Sequence, residues 1–166
     1  GGAPQRLIRL FNALIGWLPG GIAVVALFAS AFFTAFSGAS GVTILALGGL
    51  LLPMLMSVGY RQRFSLGLLT SSGSIGLLFP PSLPVLLFGI VAGVNIDDLF
   101  LAGALPGLLL LVMIGLYCTL TGVWQKIPRQ PFTTAAMLHA LREGVWDLLL
   151  PVGVVWGIFG GFVTVS

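Results

Sequence analysis

Charge is what this sequence has least of. Only 7% of its 166 residues are Asp, Glu, Lys or Arg, against roughly 25% in ordinary soluble domains. The few charges are also segregated. No Asp, Glu, Lys, Arg or His lies between Arg9 and Arg61, between Arg63 and Asp97, or between Asp98 and Lys126. Each gap exceeds the ~20 apolar residues that cross a bilayer. The pattern excludes a soluble globular domain and predicts an all-α polytopic membrane protein seated in a lipid bilayer. The formal net charge of +3 is small and confined to loops. No nucleic acid partner is therefore expected, and the basic residues read as determinants of topology.

Other absences narrow the chemistry. Cys118 is the single cysteine, so no intrachain disulfide can form, and a packed, inert thiol is expected in its apolar run. There is one histidine, no pair of carboxylates inside an apolar segment, and no metal-ligand spacing. Gly73-x-x-Gly76 is followed by no Lys-Ser/Thr and cannot cradle phosphate. The serines lack a base, because Lys126 and His139 fall outside the spans. The chain is read as not an enzyme, with no catalytic residue. Gly1 to Arg9 shows no apolar core of a signal peptide, and the run from Val145 stops at Ser166 without a closing flank. An internal piece of a larger protein is expected.

What is present is apolar sequence, 58% of residues, and 24 glycines. Residues 10–60 read as a helical hairpin with limbs at 20–37 and 42–58, joined by Ser37-Gly38-Ala39-Ser40-Gly41. At ~1.5 Å per residue each limb is about 26–27 Å long, short of a ~30 Å hydrocarbon core. The tip carries no interfacial Trp, Tyr, Lys or Arg, which favours a re-entrant hairpin. Residues 64–94 are too long for one span and too short for two. They read as one crossing, a discontinuous helix broken within Gly73–Ser82, because Pro80 and Pro81 remove backbone donors and clash with the preceding turn. Asn95, Asp97 and Asp98 cap a transmembrane helix over 99–123. An amphipathic helix on the cytoplasmic side is expected over 131–144, from Met137, Leu138, Leu141 and Val145 at helical spacing. His139 is a surface residue of that helix. The next transmembrane helix would start within 145–166. Trp17, Trp124 and Trp146 flank apolar segments as interfacial anchors. With one crossing over 64–94 and one over 99–123, all seven basic residues share the cytoplasmic side. The pairs Gly89/Gly93, Gly103/Gly107 and Gly157/Gly161 read as helix-packing positions.

Two polar breaks thus sit in apolar surroundings, and hydrocarbon tolerates freed backbone only where protein or a water-filled cavity satisfies it. One reading is a pair of flexible packing turns. The other is a solute site at mid-membrane, as in secondary transporters. Carbonyl and hydroxyl oxygens of Ser37, Ser40, Gly73, Ser74 and Gly76 suit Na+, while amides near Ser40, Pro81 and Ser82 suit a carboxylate. No acidic residue lies in the spans to carry protons instead.

The residues that carry a family resemblance run in order along nearly the whole chain. They are Pro19-Gly20-Gly21-Ile22-Ala23-Val24, Ala31-Phe32-Phe33-Thr34-Ala35-Phe36-Ser37-Gly38-Ala39-Ser40, Gly59-Tyr60, Gly73-Ser74-Ile75-Gly76 with Pro80-Pro81-Ser82, and Leu99 to Gly107. The series resembles the large membrane subunit (DctM-like) of tripartite ATP-independent periplasmic (TRAP) transporters. The family often has Thr where Ser74 stands and Ser where Ala39 stands, so the hydroxyl is kept at one position and lost at the other. The resemblance implies about one repeat of an inverted-repeat, elevator-type transporter in the bacterial inner membrane. It implies Na+-coupled uptake of organic acid substrates, such as C4-dicarboxylates, delivered by a periplasmic substrate-binding protein, with a small membrane subunit as partner. The alternatives are a structural membrane-anchor subunit without a solute path, and another ion-coupled carboxylate carrier.

Overall fold

The computed structural model describes residues 2–161, and every regular element among them is helical. Helix α1 (Ala3–Ile15) is followed by α2 (Gly21–Ser37) and α3 (Ser40–Ser57). Then come α4 (Gln62–Ile75), a 3-10 turn (Gly76–Leu78), α5 (Leu83–Ala92), α6 (Ile96–Trp124) and α7 (Thr134–Phe159). Among the described residues, three segments are long and apolar enough to cross a membrane: Ser40–Ser57, Gln62–Ala92 taken across its break, and Ile96–Trp124.

Helix α2 is the centre of the bundle. It is apolar on all sides, and a helix of that kind is stable only when surrounded. Residues 21–27 are buried without interruption, and α1, α3, α4 and α6 all pack on it. Close approach is permitted by missing side chains. A Cβ on Gly122 of α6 would run into the Cα of Gly20, and would lie 3.1 Å from the Tyr60 hydroxyl. Gly103 and Gly107 of α6 face Leu78 and Phe79 of the break, so this glycine pair serves packing within the chain. Asn95 caps α6, its Oδ1 accepting from the Asp97 amide at 3.1 Å.

Two boundaries differ from the sequence reading. The hairpin begins at Gly21, not at residue 10, because residues 10–15 belong to α1. The division between 131–144 and 145–166 is not a helix boundary: α7 runs unbroken through it to Phe159. Nothing between Leu141 and Leu150 breaks a helix, and the one glycine there, Gly144, is packed under Leu10 of α1. Residues 162–166 of that predicted segment lie outside the described residues.

Helix α7 packs chiefly on α1. Arg6 donates to Asp147 through Nε at 2.7 Å and Nη2 at 3.2 Å, the forked geometry that makes Arg–carboxylate pairs specific. Arg9 pairs with Glu143 at 3.5 Å, and Asn12 donates to Gln130 at 2.6 Å. His139 is exposed and 3.7 Å from Glu143, a surface position. Asp147 is 17% exposed and Arg6 41%, so reversing one charge leaves a carboxylate facing a carboxylate in a half-dry contact. With cysteines at Leu10 of α1 and Gly144 of α7, whose Cβ positions lie 3.4 Å apart, oxidative cross-linking should be near complete in the parent. It should fall to background in Arg6→Asp and recover in Arg6→Asp/Asp147→Arg. Failure of the double reversal to recover would show that the pair does not hold α7.

Candidate functional site

The hairpin tip and the helix break meet. Helix α2 ends at Gly38, which adopts φ +69 and donates its amide to the Thr34 carbonyl at 2.8 Å. That left-handed conformation is easy only for glycine. Ala39 is extended and α3 restarts at Ser40. On the other side, α4 gives way at Gly76 to a 3-10 turn, Phe79 is extended, the Pro80–Pro81 bond is cis, and α5 restarts after Ser82. Two consecutive prolines remove two donors and push Phe79 into extended backbone, which ends the helix here, whereas the single Pro53, Pro106 and Pro151 are held inside α3, α6 and α7.

Glycines bring the two segments together. A Cβ on Gly76 would collide with the Ala31 carbonyl oxygen and lie 2.6 Å from the Thr34 Cβ. One on Gly73 would lie 2.9 Å from Ile44 Cγ1 and 3.8 Å from the Ser40 carbonyl oxygen. One on Gly38 would lie 2.7 Å from the Leu83 Cβ. The tip therefore sits against both ends of the break, with the last turn of α2 on the 3-10 turn.

Of the candidate ligands, Gly73, Gly76 and the Ser40 backbone lie in this junction. Ser37 is half-buried, its Oγ 3.3 Å from Thr43 Oγ1 and 3.4 Å from the Ala39 amide that donates to it. Pro81 is half-buried, and Ser82 is 0% exposed with its Oγ unpartnered. Ser74 does not join them. It is exposed and donates to the Thr70 carbonyl of its own helix at 3.0 Å, one face away from buried Gly73.

Two further hydroxyls escaped the sequence reading. Thr43 is buried between the Ser37 hydroxyl and the Ala39 carbonyl, to which it donates at 3.2 Å. Thr34 is 0% exposed, and its Oγ1 has no partner. The available signal was spacing: Thr34 precedes Ser37, and Thr43 follows Ser40, by three residues, the same helical face.

The arrangement has a definite electrostatic sense. Helix α4 points its C-terminal, negative end at the junction, whereas α3 and α5 present their N-terminal ends. Neither Ala39 nor Ser82 caps its helix through a side chain. No group of three or more His, Cys, Asp or Glu residues is placed to hold a metal ion among the described residues. The oxygens at hand are neutral ones.

An all-α polytopic membrane protein in which a hairpin tip abuts a broken helix is the class these features define. The particular family follows from comparison: residues 1–166 match the model described as tripartite ATP-independent periplasmic transporter, DctM component, and the chain belongs to that family. It is 37% identical over 162 residues to the ectoine TRAP transporter large permease protein of Halomonas elongata, covering 97% of this chain and 38% of that protein. It is 34% identical over 165 residues to the C4-dicarboxylate TRAP transporter large permease protein of Vibrio cholerae, covering 99% and 36%. The 2,3-diketo-L-gulonate TRAP transporter large permease protein of Escherichia coli is 35% identical over 169 residues, covering 99% and 39%. The chain thus spans less than two-fifths of the length of these relatives, which are permeases and not enzymes.

Proposed function

We propose that the polypeptide carrying this chain is the large membrane subunit of a Na+-coupled importer of small organic acids in the bacterial inner membrane. In this reading a periplasmic substrate-binding protein delivers the solute and a small membrane subunit completes the permease. The chain supplies about one repeat of an elevator-type transporter, with the hairpin re-entering the membrane and residues 64–94 crossing it once. The observation that carries the proposal is the junction itself. Two backbone breaks and several hydroxyls converge in a chain whose candidate spans contain few ionised groups. Substrates named for relatives include ectoine, 5-hydroxyectoine, C4-dicarboxylate, 2,3-diketo-L-gulonate and isethionate. Each bears a carboxylate or sulfonate, which suits helix N-termini.

Physically, Na+ would take oxygens from Ser37, Ser40 and the Gly73–Gly76 turn at the carbonyl end of α4. The acid group would face the amides that open α3 and α5, near Ser40, Pro81 and Ser82. Filling the cation site neutralises the junction's negative end, so that ion and anion bind together better than either alone.

Loss of one hydroxyl that touches the ion should cost ~1.5–3 kcal/mol, the range for hydrogen bonds to charged groups. That is roughly a 10- to 150-fold rise in the Na+ concentration for half-maximal uptake. We expect this of Ser40→Ala in the full-length polypeptide reconstituted with its two partners. Lys126→Ala, in the turn after α6, should leave it unchanged. Wild-type Na+ dependence in both Ser37→Ala and Ser40→Ala would refute the ion site.

A further inference from the structure

We propose that Thr34 supplies a side-chain oxygen to a Na+ ion at the Gly76 turn, as a further ligand beyond the hairpin tip. The proposal rests on the Na+ reading of the junction given above. It starts from an orphan. Hydroxyls inside apolar helices ordinarily donate to a carbonyl of the preceding turn. In this chain Thr43, Ser65, Thr70, Ser71, Ser74 and Thr119 all do so, at 2.7–3.2 Å. Thr34 is wholly buried, yet its Oγ1 neither donates nor accepts. A buried hydroxyl without a partner is costly, and apolar replacement of the same shape is then neutral or favourable.

What Thr34 faces explains the cost. Its Cβ lies 2.6 Å from the point a Gly76 Cβ would occupy, so Thr34 stands at the last turn of α4. The carbonyls there carry the negative end of the helix dipole, and one that accepts a turn bond, as Gly76 does from the Phe79 amide at 3.2 Å, keeps a second lone pair. A second orphan hydroxyl, Ser82, closes the far side of the same break and is equally buried. A hydroxyl beside backbone carbonyls is an all-oxygen, uncharged ligand set. Divalent Ca2+ and Mg2+ draw on carboxylates, and the nearest in sequence to the break is Asp97, beyond α5. The chemistry that fits is a hard monovalent cation.

The test is thermal unfolding of the purified full-length protein in NaCl, KCl and choline chloride at matched ionic strength, since a ligand that binds only the folded state stabilises it. Thr34→Val keeps the shape and deletes the oxygen. Without Na+ it should melt at or above the parent temperature, and it should need about tenfold more NaCl for the same upward shift. Thr34→Ser, which restores the oxygen, should recover most of the parent response. Should the valine variant fold poorly, Thr34→Ala removes the same oxygen without adding bulk. A parent-like NaCl response in Thr34→Val or Thr34→Ala, with a weakened one in Ser40→Ala, would overturn the role of Thr34 and leave the tip site standing. Equal impairment of Thr34→Ser would assign the effect to methyl packing and also overturn it. A parent protein stabilised equally by NaCl, KCl and choline chloride would remove both the Thr34 ligand and the Na+ reading.

Discussion

Replacing Gly76 by valine is expected to cost about 3 kcal/mol of stability, the upper end of the range for overpacked sites. The reason is space and not backbone freedom. Gly76 has φ -56 and ψ -24, a conformation any residue adopts. A side chain there would strike the Ala31 carbonyl and approach the Ala35 amide to 3.0 Å. Those are backbone atoms of the most buried helix, and they cannot turn aside as a flexible side chain would. Relief requires moving α2 or lifting the 3-10 turn off it, and either separates the hairpin from the break. Gly48, inside α3, has nothing within 4 Å of a built Cβ. Gly48→Ala should therefore be neutral or more stable by roughly 0.5–1 kcal/mol, the usual gain over glycine in a helix. Thermal unfolding in detergent followed by size-exclusion fluorescence compares the two. If Gly76→Ala melted like Gly48→Ala, the close contact between break and hairpin would be wrong.

Tyr60 should show an effect of similar size. It lies in the turn between α3 and α4, 3% exposed, stacked on Phe64 with ring centroids 5.1 Å apart. Tyr60→Ala empties an aromatic site at the base of the hairpin and should cost ~3–5 kcal/mol. Tyr60→Phe should cost little, because the buried hydroxyl faces the Ala23 backbone without a hydrogen bond of good geometry. The same hydroxyl makes a pH prediction. Burial pushes its pKa up from 10.0 to about 12, since a phenolate is poorly solvated there. The folded state thus holds a proton that the unfolded chain gives up at lower pH. The associated stability is fully present below pH 10 and is lost as pH rises from 10 to about 12. Between those values the melting temperature of the parent should fall more steeply than that of Tyr60→Phe. Parallel slopes would show that Tyr60 titrates as an exposed phenol.

Much of the membrane character was legible because its causes are local. Long gaps between charges demand apolar surroundings whatever the packing. Pro80 and Pro81 stop a helix by covalent geometry, and Asn95 beside Asp97 makes a cap from its own neighbours. Helix α1 was not legible as a packed element. It is a 13-residue amphipathic stretch, marginal on its own by length, and its partner Asp147 is 141 positions away in sequence. The placement of α7 rests on the same long-range packing, with Leu10 covering Gly144.

The candidate site divides along the same line. Composition alone places Ser37, Ser40 and Ser82 next to backbone breaks, because glycine and proline act within a few residues. It says nothing about which break meets which. Ser74 and Thr34 are both hydroxyls in apolar helices, and sequence favoured Ser74 because it lies nearer a break. Tertiary packing gives the two different surroundings. Ser74 turns outward and bonds to Thr70, whereas Gly76, lacking a Cβ, lets α4 close on α2 with Thr34 between them, buried and unpartnered. Helix formation is set by neighbours in sequence, so it could be read from the chain. The fate of a single hydroxyl is set by which carbonyl another helix brings within about 3 Å, and only the folded structure decides that.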